Sequence, residues 1–252
     1  MDGTDPGGQR ISAGRLKGSG RRLTSRPQTL PPSFMDRAMD SLTLMTAPGM
    51  FLAQVDEDII VLDLVRDSYD CLFAAAAMVA LDGQGGIVAR DEATKAELIS
   101  MGLAVQPASN PSQPAIAPAR RELVVEPHPH ARDICRSTIV LMTATLRFRR
   151  KTLPDLIAVV PRVRGPLSRD PDHLSRIVGA ARVARTWIPF EGECLQRSFL
   201  LRSWLASQGI VANWIFGVRT WPFSAHCWLQ IGDLVVGDRL ERVGRYTPIM
   251  QA

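Results

Sequence analysis

"CLQRSFLLRSWLASQGIVANWIFGVRTWPFSAHCWLQIGDLVVGD", residues 194–238, changes its hydrophobic period halfway along. Up to Gly209 the apolar residues recur at helical spacing, and the glycine ends the helix. Beyond it, "VANWIFGVR", "AHCWLQI" and "LVVGD" read as three strands joined by short turns. A helix feeding an antiparallel sheet is therefore the frame on which the reactive residues of this stretch are set.

Cys194 sits where loop becomes helix. The free amides of a helix start carry partial positive charge, which favours the thiolate, the nucleophilic form. The same amides can hold an oxyanion during acyl transfer. His226 lies on a strand, where alternation puts it on one face with Trp228 and turns Cys227 to the other. Cys227 is then poorly placed as the thiol that His226 activates, and the pair is poorly placed to share a metal. A histidine base needs an acceptor on its second nitrogen. Asp233, in the turn after the strand, falls roughly 20 Å away at about 3.3 Å per residue. Asp238, on the returning strand, comes back alongside. A two-residue turn at Gly232–Asp233 would pair Trp228 with Gly237 and leave Asp238 on the wrong face. The expectation is therefore an odd-numbered loop or a bulge.

Cysteine at a helix start, histidine on a strand and aspartate on the next strand, in this order, resemble the lasso-peptide maturation B proteins, whose carboxy-terminal part is a transglutaminase-like cysteine peptidase. The resemblance is carried by Cys-Leu-x-Arg-Ser at 194–198, Gly209, Gly217-Val218-Arg219, Pro222-Phe223 and Ala225-His226-x-Trp228. It implies Cys194 as nucleophile, His226 as base and Asp238 as orienter, with no metal and no cofactor. Cys227 stands where that family often has alanine, and Gly237 where asparagine is commoner.

Upstream of this stretch the chain reads as helices. "ARDICRSTIVLMTATLRFRR", "LPDLIAVVPRV" and "DPDHLSRIVGAARVARTWIPF" have helical periodicity, the last with an Asp-Pro start signal. Before them, residues 107–122 are dense in Pro, Ser, Asn and Ala and read as a linker. His128 and His130, alternating with proline, read as solvated loop residues. Ahead of the linker, "GMFLAQVDEDIIVLDL" reads as two strands around an acidic turn, and "DSYDC" as a third running into a buried helix, "LFAAAAMVAL". "RDEATKAELISMGLA" is a further helix stopped by Gly102.

Residues 42–106 resemble, more loosely, the PqqD-type precursor-recognition domain. The implied fold is α+β: a small winged-helix-like recognition domain of three strands and three helices, then a papain/transglutaminase-like peptidase domain over 123–252. In that family a leader peptide adds as a strand to the sheet edge, so that backbone pairing gives affinity and side-chain pockets give selectivity. The positions implied here are Ser68, Tyr69, Asp70 and Cys71 on the edge, with Thr94, Leu98 and Met101 on the helix. A bound leader, tethered through a short flexible linker, would raise the effective concentration of the scissile bond to roughly millimolar. Deleting residues 1–106 is then expected to raise KM far more than it alters the chemistry.

The charge balance does not point to nucleic acid. Of the net +5, residues 1–34 carry +4 and the remaining 218 residues +1. The basic excess lies in a Gly/Ser/Pro/Arg-rich tail, residues 1–41, whose composition cannot bury enough apolar surface to fold. Met35 is an alternative start. The four cysteines, Cys71, Cys135, Cys194 and Cys227, form no CxxC pair and suit a reducing cytoplasm. No apolar run reaches the roughly 18 residues of a membrane span, and the amino terminus has no signal-peptide pattern.

The function implied by the resemblance is leader peptidase. The front domain binds the leader of a ribosomal precursor peptide, and Cys194 forms an acyl-enzyme at the leader–core bond that water then hydrolyses. The partner implied is an ATP-dependent lasso cyclase, since this chain has no nucleotide-binding loop. Two other readings use the same residues: an amide-forming acyltransferase, and a non-catalytic precursor-binding adaptor. For a second oxyanion donor, Thr186 and Trp187 are the nearby candidates.

Overall fold

In the computed structural model, which describes residues 21–22, 42–107, 113–125, 128–158, 170–188 and 192–252, the front of the chain folds as two small sheets. Strand β1 (Arg21–Arg22) and strands β3 (Met50–Val55), β4 (Asp58–Asp63) and β5 (Ser68–Phe73) form one, in the order β1-β5-β4-β3. The hairpin of β3 and β4 closes at Asp56, whose φ of 55° is left-handed. Asp63 Oδ1 accepts the Val65 and Arg66 amides and fixes the next turn. The second sheet contains β2 (Thr43–Thr46), β6 (Val79–Leu81), β7 (Gly86–Ala89) and β8 (Ala104–Val105), in the order β6-β7-β2-β8. Helix α1 (Glu92–Ser100) packs on β7 and β8; its cap Asp91 accepts the Thr94 amide at 2.7 Å.

The helix expected over residues 72–81 does not form. Ala74 has a φ of 53°, and its amide is taken by the Asp58 carboxylate at 2.9 Å. Only a single 3-10 turn, Ala75–Ala77, survives before β6. Four consecutive alanines carry high helix propensity, but a buried carboxylate that captures the first free amide redirects the chain. Residues 42–107 accordingly contain seven strands and one α-helix rather than three of each.

The rear of the chain pairs helices with a five-stranded sheet. Helices α2 (Ala131–Phe148), α3 (Leu153–Ala158), α4 (Pro171–Ala184) and α5 (Cys194–Ser207) precede strands β10 (Asn213–Arg219), β11 (Ser224–Ile231) and β12 (Leu234–Val236). A short helix α6 (Leu240–Val243) and strand β13 (Thr247–Gln251) end the chain, and with β9 (Arg121–Glu122) the sheet order is β13-β10-β11-β12-β9. Asp170 caps α4, with Pro171 in its first turn, and Gly209 at φ 79° terminates α5. Helices α2, α4 and α5 pack on one another, and α5 lies against β11.

One hydrophobic core runs through both parts. β4 is buried at all six positions because both of its faces are covered. Ile59 and Val61 enter a small core with Leu44, Leu72, Ile87 and Leu98. Ile60 and Leu62, with Tyr69 and Cys71 of β5, enter the large core that holds Phe199, Trp204, Trp214, Phe216 and Cys227. The expected linker is ordered from Gln113 onward; residues 108–112 lie outside the described residues. Gln113 donates to Thr46 Oγ1, Gln230 donates to the Ala117 carbonyl, and β9 pairs in parallel with β12. Residues 113–122 thus bind the two parts together along the surface. The calls on the tail fall outside the described residues apart from β1.

Candidate active site

β11 brings its residues into position through its register with β10. Gly217 faces His226, Phe216 faces Cys227 and Ile215 faces Trp228. A Cβ at Gly217 would lie 2.8 Å from the Trp228 ring, so only glycine lets that indole lie flat beneath the histidine. The His226 ring stacks on Trp228 at 6.1 Å and tilts against Tyr246 at 5.2 Å. Trp228 faces a small cluster with Ile215, Val235 and Val243, whereas Cys227 faces the large core and α5.

The turn between β11 and β12 corrects the expectation from sequence. Leu229 pairs with Val236, Gln230 with Val235 and Ile231 with Leu234, which leaves a plain two-residue Gly232–Asp233 turn. That register would carry a continuing strand past His226 with Asp238 on the wrong face. The chain does not continue as a strand: β12 stops at Val236, and Gly237 at φ 77° swings the next residue round. His226 Nε2 meets Asp238 Oδ2 at 2.5 Å as a result. Asp238 is held further by the Arg239 amide at 2.8 Å and by Arg242 Nη1 at 3.6 Å from its other oxygen. Asp233 pairs instead with Arg121 on the surface.

Cys194 opens α5 close enough to Cys227 and His226 for both to act on its ionisation. With Nε2 taken by Asp238, Nδ1 is the nitrogen that His226 offers the sulfur. The Cys227 thiol is the largest influence lowering the Cys194 pKa; burial opposes it, and His226 and the Cys227 amide add to it, for a value of about 4. Burial alone would lower the His226 pKa, but its bonds to Asp238 and Cys194 prevail and raise it to about 9. Burial likewise resists ionisation of Asp238, yet His226 and the Arg239 amide hold its pKa below the usual carboxylate value. Burial pushes Cys227 well up, so it stays a thiol and donates. These shifts favour a thiolate–imidazolium pair backed by a carboxylate, at the amino end of a helix. Such a pair can attack a carbonyl and return a proton to the leaving group.

Alternation along β11 is a sound guide to the faces of His226 and Cys227, yet both residues act on the ionisation of the one sulfur. β12 pairs β11 only from Leu229 to Ile231, so beside residues 226 and 227 the edge is open to the end of α5. Ser198, one turn along α5, locks this junction. Its hydroxyl donates to the Cys194 carbonyl at 2.7 Å, lies 3.3 Å from Cys227 Sγ and accepts from Trp214 Nε1 at 2.7 Å. The spacing of four from Cys194 is a helical-face signal that could have exposed Ser198; nothing in the sequence marks Trp214. Thr186 donates to the Val183 carbonyl, and Trp187 is 70% exposed.

The positions implied for leader binding divide. Tyr69 and Cys71 turn into the large core, while Ser68 and Asp70 are half-buried on the opposite face of β5. Thr94 and Leu98 are fully buried and Met101 is half-buried, on a helix packed against β7 and β8. The β5 edge is paired with β1 only at Leu72 and Phe73. Among the described residues no group of three or more His, Cys, Asp or Glu is placed to hold a metal ion, and no helix is long and apolar enough to cross a membrane.

Residues 138–251 match the family model of the transglutaminase-like superfamily. This part of the chain is similar to that superfamily. It contains Cys194, His226 and Asp238 together. Over 49 residues the chain is 41% identical to the microcin J25-processing protein McjB of Escherichia coli, a match covering 19% of this chain and 24% of that protein. The match thus spans about a quarter of the curated relative's length. No solved structure matches the chain significantly.

Proposed function

We propose that this protein is a cysteine peptidase that cuts the leader from a ribosomally made precursor peptide of the lasso class. The observation that carries the reading is the 2.5 Å bond between His226 Nε2 and Asp238, on a histidine whose pKa is also raised by Cys194. Cys194 attacks the carbonyl at the leader–core junction. The tetrahedral intermediate collapses to a thioester as His226 gives its proton to the leaving amine. His226 then takes a proton from water, which releases the leader acid and regenerates the thiolate. Similarity to a microcin J25-processing protein supports a processing role, and its short coverage leaves the substrate to this proposal.

The front sheet supplies the leader site through the free backbone of β5 at Ser68–Cys71, beside the segment already paired with β1. A leader strand reaching Leu72 would compete with β1 for the same edge. The released core, with its new amine, passes to an ATP-dependent cyclase. The test is incubation of the full chain with precursor peptides encoded near its gene, read by mass spectrometry. Hydrolysis gives two fragments whose masses sum to that of the precursor plus one water, and Cys194→Ala gives none. Fragments carrying an added amine would instead make the protein an acyltransferase, and intact precursor with tight binding would make it an adaptor.

A further inference from the structure

We propose that the Tyr69 hydroxyl, carried on β5 by the front part of the chain, donates a hydrogen bond to the oxyanion formed when Cys194 attacks a carbonyl. The inference rests on the reading of Cys194 as an acyl-transfer nucleophile.

Tyr69 is 8% exposed and lies in the core that also contains Cys227, with Cys194 packed against it. Its ring tilts against Phe223 at 5.4 Å, three residues before His226. The neighbouring contact is of the same kind: Trp221 stacks on Phe73 at 5.9 Å and donates to Asp58 at 3.3 Å. The β10–β11 hairpin is therefore clamped to β5 and β4 at two successive aromatic positions of β5. This fixes Tyr69 relative to the histidine.

The hydroxyl itself has no hydrogen-bond partner among the described residues, in a core where buried polar groups are normally paired. Nor is its oxygen one of the sealed, unpartnered polar atoms, which are Arg176 Nε, Arg202 Nε and Arg219 Nε, so it keeps access to open space. Burial first, then nearby charges that include Asp67 and Cys194, raise its pKa. Tyr69 thus remains a phenol, feels the charge of the Cys194 thiolate, and has an unused donor. An oxyanion needs two donors. The Cys194 amide at the start of α5 is the first, and the other nearby candidates, Thr186 and Trp187, are committed elsewhere or exposed.

As the S–C bond forms, the carbonyl π pair moves to oxygen and that oxygen accepts from the Tyr69 O–H. Collapse restores the C=O bond and expels the leaving group, while the phenol keeps its proton throughout.

The test uses full-length protein, p-nitrophenyl acetate and iodoacetamide. Acylation by the ester passes through an oxyanion; alkylation by iodoacetamide does not. Bursts are taken relative to Cys194→Ala, which removes labelling of the exposed Cys135. Tyr69→Phe, which keeps the ring against Phe223, is expected to slow the nitrophenolate burst by about 10²-fold. It is expected to leave the alkylation rate, its pH midpoint and the Tm unchanged. A burst equal to wild type overturns the inference while leaving the nucleophile intact. Equal losses in burst and alkylation also overturn it, by showing that the phenol merely supports the thiolate. Absence of any Cys194-dependent burst in the wild type sinks the reading of Cys194 itself, and the inference with it.

Discussion

At the scale of single residues, the site depends on one proton being held between sulfur and imidazole. With Cys194 near 4 and His226 near 9, the charged pair predominates between those values. Below about pH 4 the thiolate is protonated, and above about pH 9 the imidazolium that serves the leaving amine is lost. Turnover is expected to plateau between the two limbs. Asp238→Asn removes the charge that raises the His226 pKa, and an amide can stabilise the wrong tautomer. The expected fall in kcat is about 10²–10⁴-fold, with the alkaline limb moved to lower pH. A profile unchanged by this substitution would detach Asp238 from the mechanism. Cys227→Ala removes a thiol hydrogen bond to the thiolate, worth about 1.5 kcal/mol or about one pKa unit. The acid limb is expected to move up accordingly. As candidates, Cys194, His226 and Asp238 are legible in the sequence because each has a chemical signature. The contribution of Cys227 is not, since it depends on where a neighbouring strand stops.

At the scale of elements, the glycine after β12 matters more than the turn before it. Alternation correctly identified the difficulty with Asp238 but assigned the remedy to a bulge, whereas the chain uses a left-handed Gly237. A side chain there would suffer twice. The φ of 77° is unfavourable, and a Cβ would lie 2.4 Å from Leu201 Cδ2. Gly237→Ala is expected to cost about 1–3 kcal/mol of stability and to lower activity through displacement of Asp238. Thermal unfolding and a burst assay on the same sample check both parts. Full activity would show that Asp238 is positioned by its own hydrogen bonds alone. The Ala-rich segment after β5 teaches the opposite lesson. Its local propensity favoured helix, and a long-range bond from Asp58 to the Ala74 amide overrode it. Helices α2 and α4 follow their hydrophobic periods because each is long and buries one face.

At the scale of the whole molecule, the two parts are joined by a common core rather than by a flexible tether. Proline density in residues 107–122 reads as a connection between modules, but composition is silent on what packs across it. Ile60, Leu62 and Tyr69 are buried against the rear part, and fully burying each large apolar side chain is worth about 1.5–3 kcal/mol. Their loss rivals the 5–15 kcal/mol that holds a whole domain folded. Deleting residues 1–106 is therefore expected to abolish a cooperative melting transition instead of raising KM alone. A truncated protein that melts cooperatively near the parent Tm would restore the tethered picture.

The central claim is best tested on the sulfur, without any peptide substrate. The rate of Cys194 alkylation by iodoacetamide, followed by mass mapping against pH, reports its ionisation. The account predicts a rate that stays level from pH 8 to about 5 and falls only towards about 4, with His226→Ala moving the midpoint to higher pH. A wild-type midpoint already near 8.5, indifferent to His226, would contradict it.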